Sequence, residues 1–230
     1  MNNLSDRLQL MADLVLPGEA MADIGTDHGY IPISLLSSNK VPFAILTDIN
    51  EGPISIASAN INEAGIASDR YVLRLGNGLE PLENGEVSSV VIAGMGGELI
   101  SGILATNYDK THSFKRFILQ PRTRSNELRM FLSNASLKFV DYRLVKENGR
   151  ICEVMVVEPT DEVLPKDIDL VSKFLISKHD PLIHEFVDTK IKSTQIVLDS
   201  LKKSARSDGE AQNRMFYSIM EDLQKIKEEL

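Results

Sequence analysis

The 230-residue chain has no tryptophan and only one cysteine, with five tyrosines and eight phenylalanines. With Cys152 alone, neither an internal disulfide nor a zinc site built from several thiolates can form. Its setting in the run ICEVMVV reads as a core position rather than a reactive thiol. No metal site is expected. No apolar run approaches the roughly 18 to 20 residues needed to cross a membrane, and MNNLSDRLQL lacks the apolar centre of a signal peptide. The expectation is a cytoplasmic protein with no membrane contact. What is present is enough apolar material for a core: 43% of residues are hydrophobic and 25% charged, far from a disordered composition. The length fits one domain of roughly 160 residues with an appendage, and we place the boundary between 160 and 161.

The net charge of −8 hides an uneven distribution. Residues 1–109 carry four basic and fourteen acidic residues, a net of −10. Residues 110–150 carry ten basic residues against Glu127, Asp141 and Glu147, a net of +7. An acidic protein can therefore present a basic face, and nucleic-acid affinity follows local phosphate neutralisation rather than total charge. Solvated charges on strand ends and a helix would give the same count.

Alternating strand-like and helix-like segments fill the first 135 residues. Leu4, Leu8, Met11 and Val15 have helical spacing, ended by Pro17 and Gly18. AMADIG, VPFAILTDIN, YVLRLGNG, VSSVVIAGMGG and FKRFILQP read as strands. Between them TDHGYIPISLLS, GPISIASANINEAG and ELISGILATNY read as helices, and SNELRMFLSNAS follows with Ser125 as a predicted N-cap. Such alternation predicts a doubly wound α/β sheet with right-handed crossovers. LKFVDYRLVKENGRICEVMVVEP then offers two strands with no helix between them, joined at Asn148-Gly149, a hairpin signal. A terminal antiparallel hairpin resembles the close of a class I methyltransferase sheet rather than a plain dinucleotide-binding one. Beyond Pro165, apolar residues from Leu170 to Ile226 recur every three to four positions, interrupted at Ser207, Asp208 and Gly209, and predict a helical hairpin.

ADIGTDHGY puts Asp23 at a strand end and Gly25, Asp27, His28 and Gly29 in the turn before a helix, an arrangement that brings backbone N–H groups to a ligand. Asp48 ends the next strand, 25 residues on, where an acid binds a ribose hydroxyl pair. Beside a diphosphate, Asp23 and Asp27 would repel by several kcal/mol at an effective dielectric of about 20. A sulfonium cofactor, S-adenosylmethionine, suits them better. The turn GNGL offers Asn77 to an adenine edge, and a second turn, AGMGG from Ala93 to Gly97, follows the fourth strand at the carboxyl edge where open α/β sheets bind ligands.

The blocks ADIGTDHGYIPI, LTDIN, RLGNGLEPL, VVIAGMGGELI, ILQPRT with NELRMFL, and ENGRICEVM resemble the bacterial tRNA adenine-N1 methyltransferase family that modifies adenine 22 in the D-arm, over nearly the whole chain. The resemblance implies a class I, Rossmann-like, mostly parallel seven-stranded sheet ending in the hairpin (1–160), plus a C-terminal helical, coiled-coil-like extension (161–230). It implies that Asp23, Gly25 and His28 cradle the methionine half of S-adenosylmethionine. Asp48 and Ile49 would take the ribose and adenine face, and Asn77 and Gly78 the adenine edge. Gly94, Met95 and Gly96 would lie between cofactor and target base, with Ala93 and Gly94 also among the cofactor contacts. Arg122 and Arg124, after Gln120-Pro121, are the leading tRNA phosphate contacts; Arg129 and Lys115 complete the basic candidates.

Methylation of a neutral ring nitrogen needs alignment more than proton removal. Asp27 is the candidate acceptor for the exocyclic amine, with the Ala93 or Gly94 carbonyl as rival, and Tyr30 a stacking platform for the base. Plainer roles also fit: His28 satisfying a backbone carbonyl in its turn, Met95 and Tyr30 packing, Glu98 favoured in a first helical turn by the dipole. A nicotinamide-dependent oxidoreductase, or a non-catalytic partner-binding protein with a degenerate cofactor fold, are the competing functions.

Overall fold

A computed structural model of the chain describes residues 4–166, 169–203 and 209–230. It divides into two units, Met1–Lys166 and Asp167–Leu230, so the division falls six residues beyond the expected 160/161 boundary. In the first unit the five strand-like runs become β1 (Met21–Ile24), β2 (Ala44–Asp48), β3 (Tyr71–Leu75), β4 (Ser89–Gly96) and β5 (Arg116–Thr123). The hairpin strands are β6 (Leu137–Glu147) and β7 (Arg150–Pro159). The seven strands form one sheet in the order β3-β2-β1-β4-β5-β7-β6. The first five are parallel, and β7 runs antiparallel to both β5 and β6. Asn148 and Gly149 both take positive φ, 49° and 73°, as a two-residue type I′ turn requires.

The helices follow the apolar spacing: α1 (Asp6–Leu14), α2 (Tyr30–Ser37), α3 (Glu51–Glu63), α4 (Gly97–Ala105), α5 (Tyr108–Ser113) and α6 (Ser125–Asn134). Met11, Leu36 and Ile61 from α1, α2 and α3 share a buried cluster with Val91, Ile118 and Val154 of the central strands. Strands buried on both faces explain the nearly unbroken apolar runs of β1, β2 and β4.

Three local expectations change. Ser125 is not the N-cap of α6: Arg124 holds that place in a left-handed conformation, φ 56°, and Ser125 is the first helical residue. The ELISGILATNY helix stops at Ala105, and Asn107 caps the separate α5 by accepting from the Lys110 N–H. AGMGG is not a turn after β4; the strand continues to Gly96, with a bulge at Gly94.

In the second unit, α7 (Lys173–Ser177) precedes α8 (Ile183–Lys203) and α9 (Gly209–Glu229). Lys227, near the end of α9, pairs at 2.6 Å with Asp188, near the start of α8, so the two long helices run antiparallel. Gly209 begins α9, while the expected break at Ser207 and Asp208 lies outside the described residues.

Candidate active site

Parallel strands deliver their last residues to one edge of the sheet, and the chemistry-bearing turns gather there. At the end of β1 the chain bends through Gly25, whose φ of +70° suits glycine, and the N–H groups of Gly25 and Thr26 donate to the Thr47 carbonyl at 2.8 and 2.9 Å. A side chain at Gly25 would collide with the Met95 methyl, so Met95 lies directly over the turn. The Thr26 hydroxyl donates to Asp23 at 2.7 Å. Withdrawal from water pushes the Asp23 carboxyl up to about 6; the Thr26 hydrogen bond opposes this and the charge of Asp48 adds to it.

The next residues of this turn are more open. Asp27 is exposed, 3.3 Å from the His28 Nε2. The His28 ring stacks on Tyr30 with centroids 5.0 Å apart and planes within 9°. Among the described residues no backbone carbonyl accepts from the His28 ring; its own carbonyl accepts from Asn60 at 2.9 Å. Tyr30 itself is 44% exposed.

At the end of β2, Asp48 accepts from the Asn50 N–H at 2.8 Å, and Ile49 stands 62% exposed beside it. Leu75, opposite Asp48 in the β2–β3 register, is 54% exposed. Two exposed aliphatic residues flank this carboxylate, so the strand ends present apolar and acidic surface side by side. Leu75 was not anticipated; its strand-end place beside Asp48 was the only available signal. Gly78 abuts Ile103 closely enough that a side chain would meet it at 2.9 Å, and Asn77 beside it is exposed. Lys110 holds this loop by donating to the Leu79, Glu80 and Leu82 carbonyls at 3.3, 3.3 and 2.6 Å.

In β4 the pairing with β5 slips between Ala93 and Met95, leaving Gly94 bulged and exposed at φ +75°. Its N–H donates to the side-chain oxygen of Gln120 at 3.1 Å. Asp23, Gly25, Asp27, His28, Asp48, Ile49, Asn77, Gly78, Ala93, Gly94 and Met95 thus all belong to the carboxyl ends of four neighbouring strands.

The basic candidates separate. Arg122, at the end of β5, is exposed on the same edge, and it and Arg150 both act electrostatically on Cys152. Burial raises that thiol, in keeping with a packing role. Arg124 is exposed but pairs with Glu98 at 2.5 Å, so Glu98 serves an ion pair. Two of the basic candidates are placed differently. Arg129 is 0% exposed within α6 and unavailable to a phosphate. Lys115 precedes β5, at the opposite edge of the sheet, where it pairs with Glu19 at 2.5 Å. A count of basic residues along the chain does not register which end of a strand each occupies.

The family model described as "Methyltransferase domain" matches residues 4–155. The tRNA (adenine(22)-N(1))-methyltransferase of Bacillus subtilis (strain 168) is 32% identical over 98% of this chain and 96% of its own length. The crystal structure of the B. subtilis M1A22 tRNA methyltransferase TrmK covers 99% of this chain and 100% of that one, at 29% identity and a TM-score of 0.85. Streptococcus pneumoniae Sp1610, a putative tRNA (m1A22) methyltransferase solved in complex with S-adenosyl-L-methionine, covers 98% and 100%, at 28% identity and a TM-score of 0.86. The β-order, the hairpin and the acid-tipped glycine turns agree with these likenesses, and the chain belongs to the tRNA (adenine(22)-N1)-methyltransferase family.

Proposed function

We propose that the protein is an S-adenosylmethionine-dependent methyltransferase acting on N1 of adenine 22 in the D-arm of tRNA, working in the cytoplasm where its substrate resides. The observation that carries the cofactor reading is the pair of carboxylates closing β1 and β2: Asp23, pushed up to about 6 by burial and further by the charge of Asp48, gains from a cation and would be penalised by a diphosphate. The glycine cradle fits as well, because Gly25 and Gly78 bring backbone where side chains would collide.

Asp23 and the Gly25 turn would hold the amino-acid half, Asp48 the ribose hydroxyls, Ile49 and Leu75 the adenine faces, and Asn77 its polar edge. When bound, S-adenosylmethionine supplies an electrophilic methyl group on sulfur. The chain's own contribution is alignment and charge. Tyr30, already stacked on His28, offers its other face to the target base. Asp27 accepts a hydrogen bond from the exocyclic amine and stabilises the positive charge that develops on the ring. Its exposure lets it reach an incoming nucleotide. Arg122 and Arg150 would meet phosphates around that nucleotide, which has to leave its stack at a cost of a few kcal/mol.

Calorimetry with S-adenosylmethionine, S-adenosylhomocysteine and NAD tests the cofactor; heat with the first two and none with NAD is expected. Methyl transfer from labelled cofactor to bulk tRNA, followed by mapping of the modified nucleotide, tests the reaction. No heat with either sulfur compound would overturn the reading, and label at another nucleotide would overturn its target.

A further inference from the structure

The Gly94 bulge removes one link from the β4–β5 ladder at the point where β4 enters the site, and Pro121 opposite brings no N–H to replace it. Gln120 fills the gap from within the sheet. The residue is 3% exposed and both polar atoms of its side chain have partners: Oε1 accepts from the Gly94 N–H at 3.1 Å and from Arg7 Nη1 at 3.2 Å, while Nε2 donates to the Pro121 carbonyl at 3.1 Å. Two contacts on Oε1 and one on Nε2 fix the amide in one orientation. Arg7 comes from α1, and its Nε donates to Glu147 at 2.7 Å at the end of β6, beside the hairpin turn. Hydrogen bonds from Ser5 and Arg7 hold the Glu147 carboxyl below its ordinary range, so the pair is charged and well made.

A buried carboxamide costs stability unless every polar atom is satisfied, and an apolar residue would suit this strand interior as well as its neighbours Ile118 and Leu119 do. What glutamine adds is a brace on the bulge. Met95, the next residue, lies over Gly25, so the angle of the bulge also sets the roof of the first glycine turn. We propose that Gln120 is a positioning residue for methyl transfer, holding Gly94 and Met95 in register with the cofactor turn, and that Arg7, anchored by Glu147, holds Gln120. It rests on the methyltransferase reading only for what is being positioned.

Gln120→Leu removes the brace while keeping bulk. Amide hydrogen exchange at 94–96 should accelerate at least tenfold. The single-turnover methyl-transfer rate should fall about 30-fold, while S-adenosylhomocysteine and tRNA affinities change less than threefold. Gln120→Glu keeps an acceptor for Gly94 and Arg7 and should recover most of the exchange protection. Arg7→Ala, nearer the surface, should raise exchange at the same amides and lower the rate about fivefold, with Arg7→Lys intermediate; this arm decides if Gln120→Leu does not fold. Unchanged exchange at 94–96 in Arg7→Ala, or rate losses matched by equal losses in both affinities, would overturn the proposal. If the wild-type protein transfers no methyl group to tRNA, the functional reading fails, and the exchange measurements still report whether Gln120 and Arg7 brace the bulge.

Discussion

The acidic first 109 residues and the basic stretch from 110 to 150 both bring charge to the same sheet, but they engage it differently. The aspartates at the carboxyl edge meet uncharged or weakly basic partners: Asp23 a threonine hydroxyl, Asp48 a backbone N–H, Asp27 the His28 ring. The basic residues mostly meet carboxylates. Arg116 pairs with Glu158, Lys138 with Glu162, Arg143 with Asp141 and Arg124 with Glu98, at 2.5 to 3.1 Å. The acids thus retain capacity for a cationic ligand, whereas most of the bases already serve the fold. A net charge of +7 along a segment overstates the charge it has free to offer, and the exposed Arg122 and Arg150 are the bases we propose for tRNA contact.

The largest effect should come from the acidic side. Asp27→Asn keeps shape and removes the charge facing the developing cation, so turnover should fall about 10²-fold with cofactor affinity little changed. Single-turnover rates against calorimetric affinities make the separation. Parallel losses in both would make Asp27 a cofactor ligand and align it with Asp23 and Asp48.

On the basic side, Arg122→Ala combined with Arg150→Ala should weaken tRNA binding about tenfold at moderate salt and lower the slope of log K against log salt by about 2, as two lost phosphate contacts require. Filter binding across a salt series reads both. Arg124→Ala should cost less than threefold, because the guanidinium is already engaged by Glu98 and has no phosphate contact to lose. Equal losses for Arg124 and Arg122 would mean that tRNA displaces Glu98, and the distinction between engaged and available bases would fail.

Asp23 tests what the site costs the fold. Its folded value of about 6 stands above the ordinary 3.8, so between these pH values the native state binds more protons than the unfolded one. Stability without ligand therefore falls as pH rises from about 4 to about 6, and remains reduced above. Asp23→Asn retains an acceptor for Thr26 and removes the charge. The variant should gain about 1–2 kcal/mol at pH 7, a melting rise of ~3–6 °C, with no gain at pH 4, while binding S-adenosylmethionine more weakly. Melting curves at the two pH values check the sign.

Much of this was legible in the sequence, and the exceptions share a cause. Strand runs, the Asn148-Gly149 hairpin and the glycine turn after β1 are local signals, and each produced the expected element, whereas AGMGG stayed in its strand. The edge position of Asp48 and Gly94 followed from strands ending in acid or glycine. Arg129 failed because helical periodicity does not distinguish an aliphatic from a charged residue on the buried face of α6. Ser125 failed because the left-handed Arg124 took the cap position, while Gly97 packs so tightly on the Arg124 carbonyl that no side chain would fit there. Gln120 lay in plain view in FILQP, yet its role depends on a bulge in another strand and an arginine more than a hundred residues away.

The smallest expected effect sharpens the comparison from its other end. Lys115 belongs to the same basic stretch as Arg122, but seven residues of strand separate them, about 23 Å at 3.3 Å per residue. It sits where β1 and β5 begin, paired with Glu19, whose carboxylate also accepts from the Ser88 hydroxyl and is held below its ordinary range by both contacts. Lys115→Ala should therefore leave tRNA affinity within twofold and the salt slope unchanged, because the charge removed is already neutralised and faces away from the site edge. A loss equal to that of Arg122 would require the RNA to wrap from the carboxyl edge to the amino edge of the sheet. Position along the strand would then no longer decide which bases serve the substrate.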